Sequence, residues 1–224
     1  KDCKNKCDDY RVDKDGPDAF WPECVKQLNA ICGDKEECSI VMVTHHHRMK
    51  DFILPFKNLG KNKNTKPGYA NCCCIKLQKD KSSLIFPGYP DKLDEYHYLG
   101  INYKNAVGKN ITLENHVKLP DLQKLNSNIV LYLIRHGNSM HNQPTAIREL
   151  DSSLTPLGIY QAKTLGQKLL VDIEKDRKII LVTSYLQRAQ HTALTILQEI
   201  KPDKFTNPGP DKEYNPFYNG IRTF

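Results

Sequence analysis

Three apolar runs in the chain have the length and composition of buried strands. They are CSIVMVT (38–44), NIVLYLIR (128–135) and KIILVTS (178–184), and each is rich in β-branched residues. Strands that are apolar on both faces are typical of a parallel sheet that helices cover on both sides. The pattern therefore predicts three neighbouring strands in the middle of a covered sheet.

Helical periodicity alternates with these strands. Helices are predicted over 16–33, over 153–175 with Thr155 as its N-cap, and over 184–200 with Ser184 as its cap. The inward side of the second helix is predicted to carry Leu157, Tyr160, Leu165 and Leu169. Strands alternating with helices predict an α/β fold of three layers, with a mostly parallel sheet flanked by helices.

The eight cysteines call for an interpretation of their own. Three of them lie in a predicted strand, NCCCIKL (71–77), where Cys73 would face away from its two neighbours. The other five can form disulfides or a metal site, but no CxxC pair is present. With no apolar leader and no apolar run of roughly 18 residues, we expect reduced thiols in a cytoplasmic protein.

The formal charge of +7 over 224 residues favours anionic partners. Phosphorylated small molecules, nucleic acid and acidic membranes are all such partners. The alternative is that the charge reflects only a solvated, lysine-rich surface. No RNP, zinc-finger or basic-helix pattern occurs, so we expect a phosphorylated substrate and neither a nucleic-acid nor a membrane partner.

Polar residues that suit an anion follow each of the three predicted strands. They are His45, His46 and His47 after the first strand, Arg135 and His136 at the end of the second, and Arg188 after the third. Ligands of open α/β sheets bind at the carboxyl ends of strands, so these groups are expected to meet if the strands are parallel neighbours. Guanidinium groups bind phosphate oxygens, and a neutral imidazole is a competent nucleophile towards phosphorus.

Three blocks in this region resemble the histidine phosphatase superfamily, which has the phosphoglycerate-mutase-like fold. RHGNSMHN (135–142), DSSLTPLGIYQAKTLG (151–166) and VTSYLQRAQHTA (182–193) follow one another in the family's order. A single RHG tripeptide would be a chance match, but three blocks in order are a specific signal. The resemblance covers about 129–200.

The resemblance implies a phosphomonoester hydrolase that forms a phosphohistidine, with no metal and no cofactor. His136 would be the nucleophile, and Arg135, Arg188 and His45 would hold the phosphoryl oxygens. Ser139 and Asn142 would add hydrogen bonds in the pocket, and Gly137 would allow close backbone approach. Glu213 is the expected general acid, with Asp211 as the alternative. For the two arginines a structural ion pair is the competing interpretation, and for His46 and His47 a structural role is favoured.

The order of the blocks departs from the family. IVMVTHHHRMKDFI (40–53) and KPGYANCCCIKLQ (66–78) resemble the family's last strands, yet here they come first. We interpret this as a circular permutation within one domain, 1–224, in which 1–77 resembles the family's C-terminal part and 128–224 its N-terminal part. Residues 78–127 would connect the two parts. A homodimer that exchanges segments is the alternative.

Two other functions stay open. The family's mutases carry a longer insertion between the first and second blocks than the QPTAIREL (143–150) found here, which favours a phosphatase over a mutase. An inactive module that binds phosphate is the other alternative, because the leucine-x-glutamate context that the family usually has at its general acid is missing around Glu213.

Overall fold

The structure, a computed structural model, describes ten stretches of the chain. They are residues 16–50, 70–79, 81–86, 88–89, 97–98, 101–102, 111–112, 124–142, 151–201 and 221–223. The helices are α1 (Gly16–Cys32), α2 (His46–Lys50), α3 (Pro156–Asp172) and α4 (Gln187–Ile200). The strands are β1 (Cys38–Thr44), β2 (Cys74–Gln78), β3 (Lys81–Phe86), β4 (His97–Tyr98), β5 (Ile101–Asn102), β6 (Ile111–Thr112), β7 (Ile129–Arg135), β8 (Lys178–Thr183) and β9 (Ile221–Thr223).

Seven strands form one mixed sheet in the order β6-β3-β2-β7-β1-β8-β9. The three strands predicted from the apolar runs are its parallel centre, since β1 pairs in parallel with both β7 and β8. The four outer strands pair antiparallel with their neighbours. The α/β class is therefore confirmed, and the mostly parallel character holds for the centre of the sheet.

Helices cover both faces of the sheet, which gives the three predicted layers. On one face, Trp21 and Leu28 of α1 share a core with Ile40 of β1. On the other face, α3 and α4 pack together over Val41 and Val43 of the same strand. Alternate residues of β1 thus pack into two different cores, which explains why the strand is apolar on both faces.

The inward face of α3 is only partly the predicted one. Leu165 and Leu169 are fully buried, as predicted, whereas Leu157 and Tyr160 are 53% and 62% exposed. The first turn of the helix instead turns Gly158 inward, towards the chain that follows β7. The cap of α3 is confirmed, because the Thr155 side chain accepts a hydrogen bond from the Gly158 N–H.

The predicted cap of the last helix is wrong. Helix α4 begins at Gln187, and the side chain of its N-cap residue makes no capping hydrogen bond. The Gln187 N–H donates instead to Asp151 Oδ1 at 2.7 Å. Ser184 lies at the end of β8, where its hydroxyl has another partner, described below.

A disulfide joins Cys32 to Cys38, so the expectation of reduced thiols is wrong for this pair. Helix α1 ends at Cys32, and Gly33 at φ +74° turns the chain back towards β1. The two Cα atoms are thereby 6.0 Å apart, within the span of a disulfide. Cys73 lies in one core and Cys72 and Cys74 in the other, as predicted. The predicted strand over 71–77 is wrong for its first three residues, because β2 begins at Cys74 and Cys72 has φ +57°. Cytoplasmic localisation stays a prediction.

The described residues contain neither a membrane-spanning helix nor a cluster of metal ligands. None of the helices that the structure describes has the length and apolarity needed to cross a membrane. Within the same stretches, no three His, Cys, Asp or Glu side chains are grouped so that they could hold a metal ion.

Candidate active site

The three parallel strands end together at one edge of the sheet. Thr44 is in register with Arg135, and Val43 is in register with Thr183. Two further backbone bonds continue the ladder, from the His136 N–H to Thr44 O at 3.0 Å and from the Ser184 N–H to Val43 O at 3.1 Å. The residues that directly follow the three strands are therefore neighbours.

This register brings two of the predicted histidines together. His45 follows β1 and His136 follows β7, and their ring centroids are 5.1 Å apart at an interplanar angle of 60°. His136 is only 5% exposed, whereas His45 is half-buried. The other two histidines of the triplet, His46 and His47, begin helix α2. His45 thus faces His136 in the structure.

The hydrogen bonding of His136 fixes its tautomer. Its Nδ1 lies 2.7 Å from the carbonyl oxygen of Gly137. Because a carbonyl oxygen only accepts, Nδ1 must carry the proton, which leaves the lone pair of the neutral ring on Nε2. Burial is the main reason that the pKa of His136 lies well below its ordinary value of 6.5, and the positive charge of Arg135 adds to it. A neutral imidazole with a free Nε2 lone pair is the form that attacks an electrophile.

Two arginines surround this ring with positive charge. Arg135 and Arg188 are both buried, and both charges help to lower the pKa of His136. Burial also lowers the pKa of Arg188, and the carboxylate of Asp151 opposes that effect. Asp151 accepts the first N–H of α4, so it anchors the helix turn that carries Arg188. Two buried guanidinium groups whose charge acts on His136 suit an anion with several oxygens.

A network of hydrogen bonds holds the chain that follows His136. The Gly137 N–H donates to Thr192 Oγ1 at 2.9 Å, and the Asn138 N–H donates to Gln161 Oε1 at 2.8 Å. The Thr155 hydroxyl donates to Asn138 Oδ1 at 2.8 Å. Helices α3 and α4 therefore both fix the loop that follows His136.

Two glycines allow this loop to lie against α3. A Cβ built on Gly137 would be 2.8 Å from the carbonyl oxygen of Gly158, and one built on Gly158 would be 2.0 Å from Asn138 O. Both distances are shorter than real contacts, so the backbones pack as closely as glycine permits. The close approach expected at Gly137 is thus an approach to α3.

Ser139 and Asn142 are bonded to each other. Asn142 Oδ1 accepts the Ser139 N–H at 3.1 Å and the Ser139 hydroxyl at 2.8 Å. Ser139 is fully buried and Asn142 is half-buried. The pair closes the turn at the end of the loop that follows His136, and any contact of these side chains with substrate stays a prediction. Glu213 and Asp211 lie outside the described residues.

Two residues near the site were not assigned a place there from the sequence. Ser184 Oγ lies 2.7 Å from His45 Nε2, and the Thr192 hydroxyl accepts from Gly137 while donating to Arg188 O at 2.7 Å. Both residues stand in the VTSYLQRAQHTA block, which was the one available signal for them. Their partners come from other strands and loops, so the block alone does not reveal their roles.

Comparison with known proteins supports the class that the site suggests. Residues 131–209 match the family model of the histidine phosphatase superfamily (branch 1). This range holds β7 from its third residue onward, together with α3, β8 and α4, and it includes His136, Arg135 and Arg188. The resemblance drawn from the sequence is therefore confirmed over residues 131–209, which are similar to the histidine phosphatase superfamily.

A curated relative covers a similar share of the chain. A protein of Hydrogenobacter thermophilus named "Putative phosphoserine phosphatase 2" is 43% identical over 67 residues. The alignment takes in 30% of this chain and 31% of that protein, so about a third of the relative's own length is matched. No solved structure gave a significant match to the chain.

Proposed function

We propose that the protein is a phosphomonoester hydrolase that forms a phosphohistidine on His136. The observation that carries the proposal is the bond from His136 Nδ1 to Gly137 O, made by a buried ring of lowered pKa. It leaves Nε2 with its lone pair at the edge where β1, β7 and β8 end. The superfamily match and the phosphatase name of the relative support phosphoryl transfer in general.

In the first step, the Nε2 lone pair of His136 attacks phosphorus in line with the ester oxygen. The N–P bond forms while the bond between phosphorus and the ester oxygen breaks, and the leaving alkoxide takes a proton. Arg135, Arg188 and His45 would stabilise the charge on the three equatorial oxygens. The resemblance suggests Glu213 as the proton donor, with Asp211 as the alternative.

In the second step, water attacks the phosphohistidine. A P–O bond forms as the N–P bond breaks, and the electron pair returns to Nε2. The carboxylate left by the first step takes the proton that water loses, and inorganic phosphate leaves. The Gly137 carbonyl holds the Nδ1 proton throughout, so the ring becomes a good leaving group without changing its tautomer. The chemistry of these two steps is complete with protein side chains and water, so the proposal includes neither a metal nor an organic cofactor.

A phosphorylated small molecule is the proposed substrate class. The net charge of +7 and the two buried arginines favour an anion. Two alternatives remain, a phosphoryl-transferring mutase and an inactive module that binds phosphate. Residues 143–150 are fewer than the mutases of the family carry at this place, which favours the hydrolase.

We also propose that the chain is a circular permutation of the family fold. The crossover from β7 through α3 to β8 leaves one strand position open between β7 and β8. Strand β1, which precedes them in the chain, fills it in parallel with both. Exchange of β1 between two copies would fill the same position, so the oligomeric state in solution distinguishes the two arrangements.

Hydrolysis of para-nitrophenyl phosphate in the presence of EDTA tests the proposal. Wild type should turn over, and His136→Gln should lose activity. His191→Gln is the matched control, because the lowered pKa of His191 has burial as its cause and no contribution from the site arginines. An active His136→Gln variant would overturn the proposal, and so would a wild type without turnover.

A further inference from the structure

Ser184 is the residue that follows β8, and its side chain is held against His45. Its N–H donates to Val43 O of β1 at 3.1 Å, so its backbone is fixed to the strand that ends next to His45. Its Oγ lies 2.7 Å from His45 Nε2, and the Leu186 N–H donates weakly to the same oxygen at 3.4 Å. The contact between hydroxyl and ring joins two strand ends that are 139 residues apart in the chain.

The chemistry of a hydroxyl differs from that of a carbonyl in one useful way. The Gly137 carbonyl can only accept, so it holds His136 in a single tautomer. The Ser184 hydroxyl can either donate to a neutral Nε2 or accept from a protonated one. The bond to His45 therefore survives when that ring gains or loses a proton.

We propose that Ser184 is a positioning residue that keeps the His45 ring turned towards the phosphoryl group in both protonation states. The proposal rests on the proposed function, because it needs a phosphoryl group beside His136. It assigns the two histidines different duties: His136 is fixed as a nucleophile, and His45 stays oriented while the charge at phosphorus changes. Without this partner, the ring would lose the hydrogen bond that joins it to the end of β8.

Kinetics of two Ser184 variants test the proposal. Ser184→Ala removes the hydroxyl, and Ser184→Thr retains it. We expect kcat for para-nitrophenyl phosphate to fall roughly tenfold to a hundredfold in Ser184→Ala, with a much smaller change in KM, and to recover largely in Ser184→Thr. Thr195→Val is the control, because it removes a buried hydroxyl that bonds only to the backbone of its own helix.

The ¹⁵N spectrum of the imidazole rings gives a second readout that a merely structural role would not move. The Nε2 signal of His45 should show a hydrogen-bonded nitrogen in wild type and should shift in Ser184→Ala. The Nδ1 signal of His136 should be the same in both proteins, because its partner is the Gly137 carbonyl.

The outcomes separate the two proposals. If wild type turns over and His136→Gln does not, but Ser184→Ala retains wild-type kcat, then the positioning role alone is overturned. If wild type is inactive, the proposed function falls and the positioning role with it. Should Ser184→Ala fail to fold, the wild-type spectrum decides: a His45 Nε2 signal typical of a nitrogen in water overturns the positioning role, and a hydrogen-bonded one supports it.

Discussion

The hydroxyl of Thr192 connects the loop that follows His136 to helix α4, and the effect of removing it should be measurable. It accepts from the Gly137 N–H at 2.9 Å and donates to Arg188 O at 2.7 Å, and the residue is fully buried. Thr195, three residues later in α4, donates to His191 O at 2.8 Å and is also buried. The two threonines thus share one kind of bond, and Thr192 has the bond to Gly137 in addition.

Replacing either threonine with valine exchanges a hydroxyl for a methyl group of similar size. Both variants lose the bond within the helix, but only Thr192→Val leaves the buried Gly137 N–H without its acceptor. An unsatisfied buried donor costs about 1–3 kcal/mol. For a chain of this length, 1 kcal/mol lowers Tm by roughly 2–4 °C. Thr192→Val should therefore melt roughly 4–8 °C below Thr195→Val if the cost is near 2 kcal/mol.

Thermal unfolding and turnover of para-nitrophenyl phosphate would be measured for both variants and for Thr192→Ser. The serine variant keeps the hydroxyl and should lie close to wild type in kcat. Thr192→Val should also lose kcat, because the Gly137 peptide that it releases orients the His136 ring. Equal Tm and equal kcat in the two valine variants would show that the Gly137 N–H does not depend on the Thr192 hydroxyl.

Three further predictions concern single features of the fold. Since the folded chain lowers the pKa of His136 below 6.5, the unfolded chain binds the extra proton as pH falls, so stability should drop below about pH 6.5. Urea unfolding at several pH values should show a smaller drop in His136→Gln. Gly158→Ala, whose Cβ would meet Asn138 O at 2.0 Å, should lose at least about 1–3 kcal/mol of stability in the same assay; an unchanged midpoint would contradict the packing. Reduction of the Cys32–Cys38 bond, which closes a short loop, should cost about 2 kcal/mol and lower Tm, with thiol alkylation and mass spectrometry as the check.

The centre of the sheet was predictable because its strands carry two signals, an apolar run without alternation and polar residues at the end of that run. Every residue of β7 is buried, so its apolar run has no alternation and marks a strand covered on both faces. The same strand ends on Arg135 and His136, whose polarity shows where the apolar environment stops. Parallel pairing brings such ends together, so the sequence predicts His45 and His136 as neighbours, and their rings do lie close together.

Other features depend on partners that the sequence does not identify. Strand β3 lies in the segment 78–127 that was predicted to be a connection. Its own residue pattern does not indicate a strand, and its pairing with β2 defines it. The exposure of Leu157 follows from the contact of Gly158 with the loop after His136, which turns the first helical turn away from the predicted face. Ser184 looked like a helix cap because serine before a helix usually is one, and its true partner comes from β1's end, early in the chain.

The central claim, that His136 carries the phosphoryl group, is tested most directly by trapping the intermediate. Wild-type protein would be mixed with a phosphate ester, quenched in denaturant at alkaline pH, digested, and analysed by mass spectrometry for phosphohistidine. We expect a phosphoryl group on the peptide that contains His136, absent from His136→Gln and present in the His191→Gln control. Turnover by wild type without any phosphorylated His136, or with the phosphoryl group on another residue, would contradict it.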